Sequence, residues 1–180
     1  MRASFSRGLA VPVLLLAVFS SPALASRPSA RPGPSAAQIR AAIRAAKRSP
    51  SLWATVNICH SGRRSGKIGI RAQMPSLGFT TYLHMRFQVD YYSNKDAHFV
   101  PDPGVEKAVA LGRGQGTHEL HQGGATFGIA PPAFMRGTVT FEWRLGGRVL
   151  GSAVRQTGYG YRNVDHAKPS GYSTATCTLT

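Results

Sequence analysis

Residues 137–157 carry the tightest constraint on what this chain can fold into. Apolar side chains at Val139, Phe141, Trp143 and Leu145 alternate with Thr138, Thr140, Glu142 and Arg144, and Gly146-Gly147 follows. Period-two alternation broken by two glycines signals a β-hairpin with a two-residue turn. That turn length sets Leu150 opposite Trp143, Ser152 opposite Phe141 and Val154 opposite Val139. A slip bringing Trp143 against Val149 or Gly151 would split the apolar set, so the unshifted register is the expectation.

The same period recurs upstream. Residues 52–60 and 67–74 flank a polar loop and read as a second hairpin, with Ile68, Ile70, Ala72 and Met74 on its apolar face. Residues 79–92 form the longest alternating run. Phe79, Leu83, Met85, Phe87, Val89 and Tyr91 point one way, and Thr80, Tyr82, His84, Arg86, Gln88 and Asp90 the other. One wet face implies an antiparallel sheet. Residues 93–123 are less regular, with a short strand at 105–111. Another strand covers 125–130, ended by Pro131-Pro132, and a closing strand covers 172–180 after a Gly/Tyr-rich connection at 158–171. About eight short strands separated by turn signals predict an all-β sandwich over residues 50–180.

The N-terminal third differs. Arg2 and Arg7 precede an apolar run at 9–19, and Ala23-Leu24-Ala25 fits a cleavage site, so residues 1–25 read as a signal peptide. The run is too short for a comfortable membrane span, which leaves no transmembrane segment after cleavage. The Pro-rich stretch 26–34 reads as a linker. Ser35 and Gln38 then make a capping box for a short basic helix over 35–49. Ile39, Ala42, Ile43 and Ala46 share one face, opposite Arg40, Arg44, Lys47 and Arg48. With two isoleucines and no aromatic residue on that face, a helix docked on the domain is expected rather than a membrane-surface helix.

Charge narrows the partners. The chain has 22 Lys+Arg against 7 Asp+Glu, a net charge of +15, and it stays strongly basic after losing Arg2 and Arg7. Such a surface attracts anionic polymers: envelope phosphates, acidic polysaccharide or DNA. Export argues against nucleic acid as the purpose. An Arg-, Ala- and Gly-rich composition equally fits a coding bias with no dedicated ligand. The two cysteines, Cys59 and Cys177, both fall in the exported portion and read as one disulfide. A loop this long contributes on the order of 4–5 kcal/mol in the chain-entropy picture. Cys177 shares an inward face with Ala175 and Leu179, whereas Cys59 shares the outward face of Trp53, Thr55 and Asn57. Either a bulge near Asn57 re-aims Cys59, or the bridge lies outward at an edge.

The blocks Leu52-Trp-Ala-Thr-Val-Asn-Ile-Cys59, Ile68-Gly-Ile-Arg-Ala-Gln-Met-Pro75, Val139-Thr-Phe-Glu-Trp-Arg144 and Gly171-Tyr-Ser-Thr-Ala-Thr-Cys177 resemble those of small exported bacterial proteins with an immunoglobulin-like β-sandwich. The resemblance spans about residues 52–180. It implies the fold, the compartment and a cysteine pair joining first and last strands, and it brings no catalytic residue or assigned activity. Antibody-type domains place a Trp midway between their cysteines, and this chain does not.

Candidate chemistry is sparse. His118-Glu119-Leu120-His121 invites a metal reading, but zincin histidines stand four apart on a helix. Here they are three apart in a Gly-flanked stretch, and on a strand they would face opposite ways. A metal site would need His84 or His98 to converge, and solvated loop histidines are the alternative. Arg63, Arg64 and Lys67 make a basic knuckle suited to phosphate or sulfate, though not a nucleotide loop. Tyr159, Tyr161 and Arg162, with Tyr172 nearby, would suit a sugar ring or a base, or would simply lid the core. The seven carboxylates offer no preferred glycosidase pair, and Glu142 is expected to pair with Arg144. The expectation is a non-enzymatic binding module without a cofactor. Its basic loops would contact an anionic cell-envelope polymer or an exported protein partner. A metal-dependent hydrolase at His118 and His121 is the alternative.

Overall fold

The computed structural model describes residues 33–62 and 64–180. The expected signal peptide, residues 26–32 of the linker, and Arg63 lie outside the described residues. Helix α1 (Ala36–Arg48) precedes eight strands: β1 (Trp53–His60), β2 (Gly66–Pro75), β3 (Thr81–Ser93), β4 (His98–Gly114), β5 (Leu120–Ile129), β6 (Ala133–Leu145), β7 (Arg148–Gln156) and β8 (Thr176–Leu179). Sheet A has the order β1-β2-β5, and sheet B the order β4-β3-β6-β7, with β8 also paired to β6. All named strand pairs are antiparallel. Val56, Ile68, Ile70 and Met74 from sheet A meet Leu83, Met85, Phe87, Val139, Phe141 and Trp143 from sheet B in a fully buried core. The fold is an all-β, immunoglobulin-like sandwich with one short helix.

The β6–β7 hairpin keeps its two-residue turn but not the expected register. Leu145 pairs with Arg148 and Arg144 with Val149, and then the ladder shifts so that Trp143 faces Gly151 and Phe141 faces Ala153. The helix explains the shift. Sheet A has fewer strands than sheet B, and α1 packs beside β7, burying Ile43 and Ala46. A Cβ on Gly151 would lie 2.7 Å from Ile43 Cγ2. Turning Gly151 and Ala153 inward, rather than Val154, makes room for the helix; Leu150, the extra residue at the shift, stays half-buried against the core, and Val154 is exposed. Covering Ile43 contributes roughly 1.5–3 kcal/mol. Ser35 caps α1 with both halves of the capping box formed.

In β1 the register shifts between Val56 and Ile58. This is the bulge at Asn57, and it turns Cys59 toward the core, where Cys59 and Cys177 form the disulfide with Cα atoms 5.5 Å apart. Several strand boundaries depart from expectation. β4 runs from His98 to Gly114 rather than 105–111, because an edge strand tolerates Pro101 and Pro103. Residues 102–105 loop out between the partners of Gln88 and Asp90. Gln88 Nε2 donates to the carbonyls of Asp102 (2.9 Å) and Val105 (3.3 Å), satisfying part of that backbone. β5 begins at Leu120. β8 is short because Thr174 still bridges Val56 of β1, so the closing segment crosses from sheet A to sheet B. Tyr91, expected in the core, is exposed. It lines a rim groove of about 510 Å³ with Ile129, Pro132, Phe134 and Leu179, which keeps its hydroxyl wet.

Candidate anion-binding site

The site is built on the outer face of sheet A. Alternation in β2 sends Lys67, Gly69, Arg71 and Gln73 outward once Ile68, Ile70, Ala72 and Met74 are buried. Register places Gly128, Thr126, Gly124 and Gln122 of β5 beside them. On the other side the β1 bulge brings Ile58 beside Gly69 and His60 beside Lys67. Directly opposed residues share a face, so the centre of this face is a shallow trough floored by glycines.

Residues 157–175 cross the trough and wall it. Asn57 Nδ2 donates to the carbonyls of Asp165 and His166, each at 3.2 Å. The Lys168 amide donates to the Asn57 carbonyl at 2.9 Å. Thr55 Oγ1 donates to the Gly158 carbonyl at 2.9 Å. On the far side Gln122 Nε2 donates to the Asn163 carbonyl at 2.8 Å, and the Asp165 amide donates back to Gln122 Oε1 at 3.1 Å. Tyr161 stacks on Trp53, with ring centroids 4.8 Å apart and planes at 15°. These contacts explain why Thr55 and Asn57 are buried although they point away from the core.

Two adjoining clefts result. One, of about 490 Å³, is lined by Arg71, Lys107, His166 and Lys168 over Gly124 and Thr126. The other, of about 590 Å³, is lined by His60, Lys67 and Lys168. Ile58, Thr126 and Lys168 border both. Arg71 lies flat against β5, where a Cβ on Gly124 would sit 3.0 Å from its Cζ and Nε. Its Nε is shut off from solvent and has no hydrogen-bond partner among the described residues. Burial pushes the guanidinium below its usual pKa, while Asp165 pulls it back up. Arginine remains charged regardless. Arg71, Lys67, Lys107 and Lys168, from β2, β4 and the crossing segment, therefore gather around the two clefts.

Of the residues singled out from sequence, Lys67 lines a cleft, and Arg64 and Arg162 are exposed outside both linings. Tyr161 is held on Trp53, and Tyr159 stands 81% exposed. His118 lies exposed in the turn before β5. His121 pairs across the ladder with buried Met74, and its Nε2 is 3.5 Å from Glu119 Oε2. His84 pairs with Ala110, whereas His98 pairs with Ser93. Nine strand positions separate these two sites, roughly 30 Å. Among the described residues no three His, Cys, Asp or Glu side chains gather in a metal-ligating group. Arg71, Lys107, Lys168, His60 and His166 were not foreseen. The outward place of Arg71 in β2 was readable, but its crossing wall was not.

No protein-family model matches the chain, and no curated protein matches it. Among solved structures it is similar to a glycosyl hydrolase family 2 member from Bacteroides cellulosilyticus, at 14% identity and TM-score 0.33, covering 60% of this chain and 14% of that one. It is also similar to β-glucuronidase 2 of Bacteroides uniformis, at 12% identity and TM-score 0.36, covering 61% and 13%. The chain thus spans a small part of either enzyme, and likeness at this level carries no argument about activity.

Proposed function

We propose that the protein is an exported, non-enzymatic binding module that holds anionic polymers of the cell envelope or its surroundings. The observation that carries this reading is the gathering of Arg71, Lys107, Lys168 and Lys67 around two adjoining clefts beside sheet A. A rigid sandwich presenting its ligand face through a crossing segment is a common division of labour between scaffold and loop. The disulfide fits an oxidising compartment. Among the described residues no helix is long and apolar enough to cross a membrane. The expected result is retention of the exported chain on a sulfated matrix at low ionic strength, with release as salt is raised and screening shortens to about 10 Å near 0.1 M. Passage straight through the matrix at low salt would overturn the proposal.

A further inference from the structure

We infer that the two clefts form one track for a linear polymer bearing phosphate or sulfate groups, with Arg71 receiving an oxyanion at one end and Lys168 serving both clefts. This rests on the binding reading above and adds to it the ligand's chemistry and path. The first cleft places a planar guanidinium from β2, an ammonium from β4 and another from the crossing segment around one space. A planar carboxylate is best met by a single fork, as between arginine and carboxylate. A tetrahedral oxyanion accepts from several directions, which is what donors on three different elements offer. Charge points the same way. Asp165 is the carboxylate that bears on Arg71, so one carboxylate ligand would leave the lysines unneutralised.

The track is linear because the cations continue along β2. Lys67 and Arg71 lie on the same outward face four residues apart, roughly 13 Å at strand rise. The two line different clefts, Arg71 the first and Lys67 the second, so a chain with repeated anionic groups can engage both. Lys168 borders both clefts and His60 extends the second. Gly124 and Gly128 keep the β5 side of the track low, and Ile58 and Thr126 flank Gly69 where the two clefts meet. Each cleft has the volume of a small-ligand site, enough for one anionic group and the unit that bears it.

The test uses the exported chain and three probes of matched length: polyphosphate, a sulfated glycan and a polyuronate carrying only carboxylates. Binding is read by calorimetry at fixed ionic strength. Polyphosphate, the sulfated glycan or both should bind more tightly than the polyuronate, and which of the two wins identifies the source of the oxyanion. Lys168→Gln and Arg71→Gln should each weaken that binding about tenfold. Arg148→Gln, in the β6–β7 turn, should change it less than twofold. Lys168 and Lys107 are exposed, so Lys168→Gln and Lys107→Gln keep the test valid should Arg71→Gln fail to fold. Wild-type binding that survives Lys168→Gln and Lys107→Gln unchanged overturns the track while leaving the binding function standing. Equal affinity for the polyuronate overturns the oxyanion preference. No binding to any polyanion overturns the functional reading itself.

Discussion

The outer faces of the two sheets both carry basic residues, and several arginines on sheet B are paired within the fold. On sheet B, Arg144 pairs with Glu142, Arg136 Nε pairs with Asp90 at 3.3 Å, and Arg113 lies over the Tyr82 ring while donating to its hydroxyl. Arg136 also covers Phe99 at 4.5 Å and reaches Gln156. Those arginines serve the fold. On sheet A, Arg71 has a buried Nε with no partner among the described residues. Its cationic neighbours stand around clefts rather than beside carboxylates. The comparison teaches that net charge is a poor guide to a binding surface, since it counts both faces alike. What separates them is direct pairing: Asp90 and Glu142 bond Arg136 and Arg144, whereas Asp165 acts on Arg71 without an ion pair.

The largest expected effect comes from removing what walls the sheet A face. Asn57 is 3% exposed and holds the crossing segment through two carbonyls. Asn57→Ala strips both acceptors of their donor and should cost about 2–3 kcal/mol of stability, read by chemical denaturation. Amides of residues 158–168 should exchange faster while those of β3 and β6 keep their protection. Polyanion binding should weaken with them, because Lys168 and His166 ride on this segment. Unchanged loop exchange would mean that other contacts, such as the Trp53–Tyr161 stack, suffice to hold the wall.

A smaller effect is expected on the opposite face. Asp90 is 4% exposed and accepts from Thr138 Oγ1 at 2.6 Å as well as from Arg136. Arg136→Gln leaves that carboxylate with its hydroxyl donor but without its cation, at a cost of about 1–2 kcal/mol. Retention on an anionic matrix should stay close to wild type despite the lost positive charge. If retention falls as far as in Lys168→Gln, the two faces do not differ and the matrix reads net charge alone.

Much of the scaffold was legible because a half-buried strand must alternate: Ile68, Ile70, Ala72 and Met74 are fully buried, as their spacing demands. Alternation fails where one residue is inserted. The bulge at Asn57 left a recognisable trace, since Cys59 sat on the wrong face for a core disulfide. The shift at Trp143 left none, because its cause is Ile43 of a helix about a hundred positions earlier in the chain. The site was less legible still. Lys67 stood out beside the turn, but Arg71 looked like any outward cation in a strand. Lys107 and Lys168 reach the same clefts from β4 and from a segment whose path across the sheet depends on Asn57 and Gln122. Local pattern says which way a side chain points and not what will be laid over it.

The turn between β4 and β5 joins the two sheets, and it gives the smallest and most local test. Glu119 Oε2 accepts from the Gln115 amide at 2.7 Å. Hydrogen bonds from the Gln115 and Gly116 backbone, with a lesser contribution from His121, hold its carboxyl below the usual value. A carboxyl with a depressed folded-state pKa stabilises the fold above its unfolded value, about 4.3. That contribution is lost as pH falls through the lower folded value. Acidification below about pH 4 should therefore release the Gln115 and Gly116 amides, seen by NMR as a titrating shift and faster exchange. Glu119→Gln should abolish the titration. The amides bound to Gln122 and Asn57 should not follow it, because their partners across sheet A are neutral amides and backbone carbonyls. A shared titration would show that the turn and the sheet A wall move as one, and the difference between the two faces would then depend on pH.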